Sequence, residues 1–315
     1  MKRANWNHIS LSISLALTLG PLLVLFGYIF VNAQANTTSQ NATLWLSASD
    51  LPDHTQFAGL SRHAAVAYKN VIYVIGGAGT NLGLQSKDIY AGKIENGGSI
   101  SQWSKNSVLT KNLIYAPAAV TENGCIYLAG GRSGNTAQSS VIFGQASGSS
   151  PISWQEEDIS GFRARYLHAL VISGDKMFAL GGFKRGLPSP MGDVDYLNLS
   201  DDCTSPTNTW MSAPSLNPTR TAHAAVAFEG KVYVIGGFEG GLSYSDISSS
   251  VHSATIQSNG LSQWTELTCT LPVSLAYHTA FISEAERRIY VVGGLTPGGI
   301  FLTKFTPSIS MMMVG

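Results

Sequence analysis

The feature that most constrains this 315-residue chain is a short apolar segment that ends in two glycines and occurs five times. The copies read VIYVIGG, CIYLAGG, MFALGG, KVYVIGG and RIYVVGG. Successive glycine pairs are 54, 51, 55 and 57 residues apart, a nearly fixed period that indicates a repeat architecture. Each copy is short and rich in Val, Ile and Tyr, which predicts a buried strand rather than a helix.

Three further segments recur with the same period. A run of small and apolar residues precedes each copy, at 63–67, 117–121, 168–172, 223–227 and 278–282. A third run follows, at 88–94, 141–146, 194–199, 251–256 and 300–305. A tryptophan then marks a fourth segment in four of the copies: Trp103, Trp154, Trp210 and Trp264. Four strands per period is the make-up of a β-propeller blade.

The small-residue strand, the strand ending in Gly-Gly, the third strand and the tryptophan resemble the kelch repeat. This resemblance covers about residues 41–306 and implies an all-β, kelch-type β-propeller. Trp45 lies in a segment similar to the one around Trp264, whereas the last copy lacks a tryptophan. We therefore expect residues 43–47 to complete the last blade and to close a ring of five four-stranded blades. The propeller would then span 43–306, and 307–315 would form a C-terminal tail.

The first 35 residues lie outside the repeats and have the pattern of an export segment. Lys2 and Arg3 precede an apolar stretch at 9–31, and Ala33 and Ala35 follow with signal-peptidase spacing. The apolar stretch is also long enough to cross a bilayer as an N-terminal hydrophobic helix. Residues 1–35 are thus a cleaved signal peptide or a retained membrane anchor, and 36–42 are a linker. Both alternatives predict an extracytoplasmic propeller, secreted or membrane-anchored.

Charge and motif content exclude some function classes and leave others open. The 19 basic and 19 acidic residues balance, so the chain has no electrostatic footprint for nucleic acid. No metal-binding or phosphate-binding motif is present, and we predict neither a metal site nor a cofactor. Of the three cysteines, Cys125 reads as a small buried residue, and a bridge between Cys203 and Cys269 is possible.

The candidate site residues form two groups. The first lies at the start of the first strand of the repeat: Arg62, His63, Arg165, His168, Arg220, His223 and His278, with Pro117 aligned to the histidines in the second copy. Imidazoles can bind metal and arginines can hold a carboxylate, but a residue type needed in every blade more often has a structural role. The second group lies in the loops that follow the glycine pairs: Arg132, Lys184, Arg185, Glu239 and Tyr244. Such loops usually carry recognition.

These patterns favour a non-catalytic scaffold that binds a protein or a glycan through one face of the ring. The alternative is a carbohydrate-active enzyme. The resemblance extends to sialic-acid mutarotases, which are secreted kelch propellers with Arg and His at the channel mouth. A third hypothesis is a repeat protein that only contributes surface architecture. A common fold does not decide among them.

Overall fold

The computed structural model describes residues 51, 59–79, 83–96, 98–148, 150–184, 186, 189–206, 209–302 and 310–312. Within these ranges the chain forms five main antiparallel sheets, one for each copy of the repeat. The predicted N-terminal helix, the strand around Trp45 and Arg185 lie outside the described residues. No helix in the described part of the chain is long and apolar enough to cross a membrane.

The sheets share one up-and-down strand order. Sheet 1 contains Ala64–Tyr68, Val71–Ile75, Asp88–Ile94 and Ile100–Val108. Sheet 2 contains Ala118–Val120, Cys125–Ala129, Val141–Gln145 and Gln155–Glu157. Sheet 3 contains Ala169–Ser173, Lys176–Leu180, Val194–Asn198 and Met211–Ala213. Sheet 4 contains Ala224–Phe228, Lys231–Ile235 and Val251–Gln257, and its third strand pairs with both Gly260–Leu261 and Thr265–Glu266.

The last sheet departs from the expected pattern. It contains Thr279–Ser283, Arg288–Val292 and Ser310–Met312. Its third strand thus comes from the segment expected to be a tail, whereas Ile300 and Leu302 lie outside any strand and Phe301 forms only an isolated bridge with Leu295. The turn at Gly298-Gly299 folds this stretch back on itself, so the predicted strand at 300–305 is wrong over its described part.

Shorter elements connect the strands at the loop end of the sheets. They are Leu60–Ser61 with Ala78–Gly79, Arg132–Ser133 with Thr136–Ala137, Arg220–Thr221 with Phe238–Glu239, and a 3-10 helix at Tyr244–Asp246. These short pairs join the segment before a first strand to the loop after a glycine pair, or close that loop on itself.

The glycine pairs fasten each sheet to the next. The second glycine donates its N–H to a carbonyl of the following sheet: Gly77 to Leu113 (2.8 Å), Gly131 to Arg165 (2.9 Å), Gly182 to Arg220 (2.8 Å) and Gly237 to Leu275 (2.8 Å). The first glycine has positive φ, +65° at Gly130, and a Cβ on Gly130 would lie 2.6 Å from the Arg165 carbonyl oxygen. Only glycine fits such a close approach. The first strands of successive sheets also contact one another, so these strands line the inside of the array.

A disulfide also links the second and third sheets. Cys125 is bonded to Cys203, with 5.4 Å between the Cα atoms, and Cys269 is free and exposed. The suggested Cys203–Cys269 bridge is therefore wrong. Cys125 is buried as expected, but it is bonded because the loop after Val194–Asn198 brings Cys203 against the start of the Cys125–Ala129 strand.

The disulfide is expected to stabilise the fold substantially. Because it closes a loop across a sequence separation of 78, replacing both Cys125 and Cys203 with alanine should lower the free energy of unfolding by about 3 kcal/mol. Denaturant unfolding without reductant measures this change. Cys269→Ala is the matched control and should leave the midpoint unchanged. Equal midpoints for the double variant and the wild type would show that the bridge does not constrain the unfolded chain.

Candidate functional site

The histidines lie between neighbouring sheets rather than in open space. The ring of His168 packs on Gly130 of the preceding sheet, where a Cβ would lie 3.0 Å from Cε1, and the Cβ of His168 covers Gly182 of its own sheet. His223 and His278 repeat both contacts one and two sheets further on. In the second sheet Ala116 covers Gly131 in this way. Ala116, and not Pro117, therefore occupies the histidine position.

Burial keeps these imidazoles neutral. It lowers the pKa of His63 to about 4, that of His223 to about 3 and that of His278 to about 4, and it lowers the pKa of His168 well below its ordinary value. The charges of Arg165 and Arg220 add to this effect at His168 and His223. Within the described ranges no group of three or more His, Cys, Asp or Glu side chains is arranged to hold a metal ion.

Arg165 is fully buried and fastens the third sheet internally. Its Nη1 donates to the carbonyls of Gly181 (3.2 Å) and Asp193 (2.8 Å), and its Nη2 pairs with the carboxylate of Asp195. Asp195 is 1% exposed, so the ion pair is closed to solvent. Every strong contact of this guanidinium is thus internal to the protein.

Arg220 has the same place in the fourth sheet but other partners. Its Nη1 donates to the Gly236 carbonyl (2.9 Å), and its Nη2 lies 3.0 Å from Nδ1 of His252, which replaces Asp195 in the strand. The carboxylate comes instead from Glu239, whose Oε2 lies 3.3 Å from Nη2. Glu239, a predicted loop contact, is thus engaged with the sheet.

The residues directly before the histidine position form a continuous inner rim. They are Arg62, Tyr115, Leu167, Ala222 and Tyr277, and each has φ between +52° and +61°. From the second sheet onward, each donates its N–H to the carbonyl of its counterpart in the preceding sheet, over 3.0, 3.3, 2.9 and 2.8 Å. Burial raises the pKa of Tyr277 in the last sheet, and the charge of Arg62 in the first sheet opposes this shift.

A cavity of about 260 Å³ opens beside the inner rim. It is lined by Tyr115, Arg132, Tyr166, Leu167, Phe183, Thr221, Phe238, Leu242 and Tyr277. These residues belong to sheets two to five. Aromatic rings form most of the wall, and no carboxylate is among the lining residues. The rings brace one another, with Tyr115 stacked on Tyr166 at 6.0 Å and Phe238 edge-on to Tyr277 at 5.7 Å.

Arg132 is the cation of this cavity. Its guanidinium carbon lies 5.6 Å from the ring centres of both Tyr115 and Tyr166. Arg132 and Ile114 exchange two backbone hydrogen bonds, 2.8 and 2.9 Å long, which fix its position. Its buried Nε has no hydrogen-bond partner among the described residues. Burial raises the pKa of Tyr115 and Tyr277, so both phenols stay neutral and can donate hydrogen bonds.

The structure therefore divides the predicted site residues. Arg132 lines the cavity, Arg62 lies 5.4 Å from the Tyr115 ring centre, and Tyr244 and Lys184 are exposed on loops. The aromatic wall is not among the residues predicted from the sequence. The signal was present in the repeat, since Tyr115 and Tyr277 directly precede the histidine position and Phe183 and Phe238 directly follow glycine pairs.

Comparison with known proteins identifies the class. The family model of the KLHDC2/KLHL20/DRC7 Kelch-repeats domain matches residues 62–294, so the chain belongs to the kelch-repeat family. Kelch-like protein 15 of Mus musculus and that of Rattus norvegicus are each 26% identical over 144 residues, or 43% of this chain. The match covers only 23% of the length of these curated relatives. The solved structure of YjhT superposes with a TM-score of 0.64 at 17% identity and covers 83% of each chain. The fold is thus an all-β propeller of the kelch type, as the resemblance implies.

Proposed function

We propose that this kelch-repeat chain is a non-catalytic binding scaffold that holds an anionic group of a protein or glycan in the rim cavity. The observation that carries the proposal is Arg132, a cation with a buried, unpartnered Nε in a cavity whose lining residues include no carboxylate. A guanidinium in this setting can hold a carboxylate or phosphate with two parallel hydrogen bonds.

The rest of the wall suits a ligand with a flat or apolar body. Tyr115, Tyr166 and Tyr277 offer ring faces and phenolic donors, which can bind sugar rings or side chains beside the anion. Convergent polar groups in a mostly apolar cavity are the usual composition of a ligand site. By contrast, Arg165 and Arg220 bond within their own sheets and the interior histidines pack between sheets. None of them lines the cavity, so the proposal does not use them.

The same proposal includes export and ring closure. A disulfide such as Cys125–Cys203 persists in oxidising compartments, which supports residues 1–35 as a signal peptide or membrane anchor. The last sheet has three strands in the described residues. This supports residues 43–47 as the fourth strand that closes a ring of five blades.

Replacing Arg132 with alanine is expected to weaken ligand binding without loss of fold. The test measures melting temperature with a panel of glucuronic acid, sialic acid and acidic peptides, because a ligand at 100 times its dissociation constant stabilises by about 2.7 kcal/mol. The wild type should shift with at least one acidic probe, and Arg132→Ala should weaken that probe about tenfold or more. Lys184→Ala, which removes an exposed loop cation outside the cavity, is the matched control.

Two results would contradict the proposal. If Arg132→Ala and wild type respond alike to every probe, the cavity does not hold the anion. If the wild type accelerates anomer exchange of an acidic sugar and Arg132→Ala does not, the chain is a carbohydrate-active enzyme. That result would replace the binding function with the mutarotase-type alternative.

A further inference from the structure

The fourth sheet has a histidine where the third sheet has a carboxylate. His252 and Asp195 have the same place in the third strand, and each contacts the buried arginine of its own sheet, Arg220 or Arg165. Asp195 is 1% and His252 5% exposed, so both contacts are closed to solvent. A carboxylate stays an acceptor at neutral and mildly acidic pH, whereas an imidazole changes its charge in this range. The contact in the fourth sheet therefore depends on pH, and the one in the third sheet does not.

The contact between Arg220 and His252 requires a neutral imidazole. Nη2 of Arg220 lies 2.6 Å from Oγ of Ser250 and 3.0 Å from Nδ1 of His252, and Nη1 donates to the Gly236 carbonyl at 2.9 Å. Because arginine can only donate hydrogen bonds, Nδ1 must accept and cannot carry a proton. Protonation of Nδ1 removes the acceptor and places two cations side by side. Nη2 and Nδ1 must then separate.

Three charged groups act on the His252 imidazole. They are Arg220, Glu266 in the neighbouring strand Thr265–Glu266 and Glu239 in the loop, while the residue opposite His252 in the second strand is the uncharged Val234. Burial and the charge of Arg220 lower the pKa of His252 from its ordinary value of 6.5, and the two carboxylates oppose this shift. The imidazole is therefore neutral at pH 7 and gains its proton on acidification. A protonated His252 also competes with Arg220 for Glu239, whose Oε2 lies 3.3 Å from Nη2.

A short strand pair connects this contact to the cavity. The segments Arg220–Thr221 and Phe238–Glu239 pair with each other, and one residue of each, Thr221 and Phe238, lines the cavity. Gly240 N–H donates to the Thr219 carbonyl at 3.0 Å and extends the pair by one bond. Because the Arg220 side chain is fully buried, a displacement of its guanidinium must be taken up by this two-residue pair. The charge on His252 therefore acts on one wall of the cavity.

We propose that His252 is a pH sensor, whose protonation breaks the contact with Arg220 and loosens the strand pair that forms one wall of the cavity. The third sheet, with Asp195 in the same place, keeps its contact over the same pH range. The consequence for a ligand rests on the proposed function: a ligand bound at neutral pH is released on acidification. The loosening of the strand pair itself needs no ligand and can be measured on the free protein.

Amide hydrogen exchange of the full chain at pH 7 and at about pH 5.5 tests the proposal. Protection factors of residues 236–247 should fall about tenfold on acidification relative to those of residues 189–198 in the third sheet, because one hydrogen bond to a charged group is lost. His252→Asp reproduces the third sheet and should remove this pH dependence, since a carboxylate does not titrate in this range. Glu239→Gln, at a side chain that is 28% exposed, should lower the protection of residues 236–247 already at pH 7.

The outcomes separate the pH sensor from the proposed function. Equal loss of protection in the two segments of the wild type, or the same pH dependence in His252→Asp as in the wild type, would overturn the sensor. An acidic sugar that binds in an Arg132-dependent way should bind the wild type more weakly at about pH 5.5 than at pH 7, and should bind His252→Asp equally at both. If exchange changes as expected and no acidic probe depends on Arg132, the sensor stands and the proposed function fails alone.

Discussion

Arg165→Met is expected to lower the free energy of unfolding by about 3 kcal/mol, because it leaves the buried Asp195 carboxylate with only long contacts, 3.5 Å each, to Arg163 and Ser212. Both side chains are buried, at 0% and 1% exposure, and the guanidinium also donates to the carbonyls of Gly181 and Asp193, so these hydrogen bonds are lost as well. Urea unfolding at pH 7 measures the effect. The change should appear in the midpoint with little change in slope, since the fold itself is retained.

Two further variants isolate the cause. Arg163 is 52% exposed and pairs with the same strand through Asp193 and Asp195, so Arg163→Ala should cost less than about 1 kcal/mol. Arg165→Met combined with Asp195→Leu removes both buried charges and should recover much of the lost stability. A single Arg165→Met variant as stable as the wild type would show that the buried ion pair contributes no net stability.

Acidification from pH 7 to pH 5 is expected to destabilise the protein by about 2 kcal/mol for each interior histidine. The folded-state pKa values of His63, His223 and His278 lie near 4, 3 and 4, against 6.5 for an exposed imidazole. Between these limits the unfolded chain binds more protons than the folded chain, so stability falls as the pH falls. The loss begins near pH 6.5 and levels off below the folded-state values, and His168 and His252 act in the same direction.

Urea midpoints at several pH values between 7 and 5 test this expectation. The window excludes the carboxylates with lowered pKa, Glu156 and Asp202, whose protonation affects stability only below about pH 4.5. His278→Ala reproduces the alanine found at Ala116. Its free energy of unfolding should fall less steeply with decreasing pH than that of the wild type, because one proton fewer is taken up on unfolding. If the slope of unfolding free energy against pH is the same in His278→Ala and the wild type, the His278 imidazole is protonated in the folded protein as in the unfolded chain and is therefore accessible to solvent.

The local sequence pattern was sufficient to predict the positions of most strands. It failed where the length of a turn or a partner far along the chain determines the register. Val71–Ile75 and Asp88–Ile94 follow from alternation and glycine punctuation, which are readable in one segment. The match of PAAVT to HAAVA predicts that Pro117 takes the histidine position, whereas Ala116 does. The turn between Val120 and Cys125, closed by Gly124 N–H to Thr121 O (3.0 Å), is longer than the turn after Tyr68. The longer turn moves the register by one residue.

The site was predicted less completely than the fold for a similar reason. A repeated Arg or His is equally compatible with a ligand and with a neighbouring strand. Asp195 lies 30 residues from Arg165 and decides its role only when the sheet is formed. The partner of Arg220 is still harder to predict from the repeat, because the carboxylate that pairs with it belongs to Glu239 in a loop and not to the third strand. The cavity combines side chains from sheets two to five, and no single repeat contains it.

In the inner rim, main-chain hydrogen bonds hold the backbone together, while the side chains differ from repeat to repeat. Its five positions are joined by main-chain hydrogen bonds, which do not depend on whether the side chain is Arg, Tyr, Leu, Ala or Tyr. One residue per repeat can therefore be substituted to change the ligand preference while the backbone keeps its conformation. The positive φ at each position restricts the choice, because β-branched residues are strongly disfavoured there. A combinatorial library over residues 62, 115, 167 and 277 that omits Val, Ile and Thr, and that keeps the buried Ala222, would thus retain the rim hydrogen bonds while it varies the binding surface.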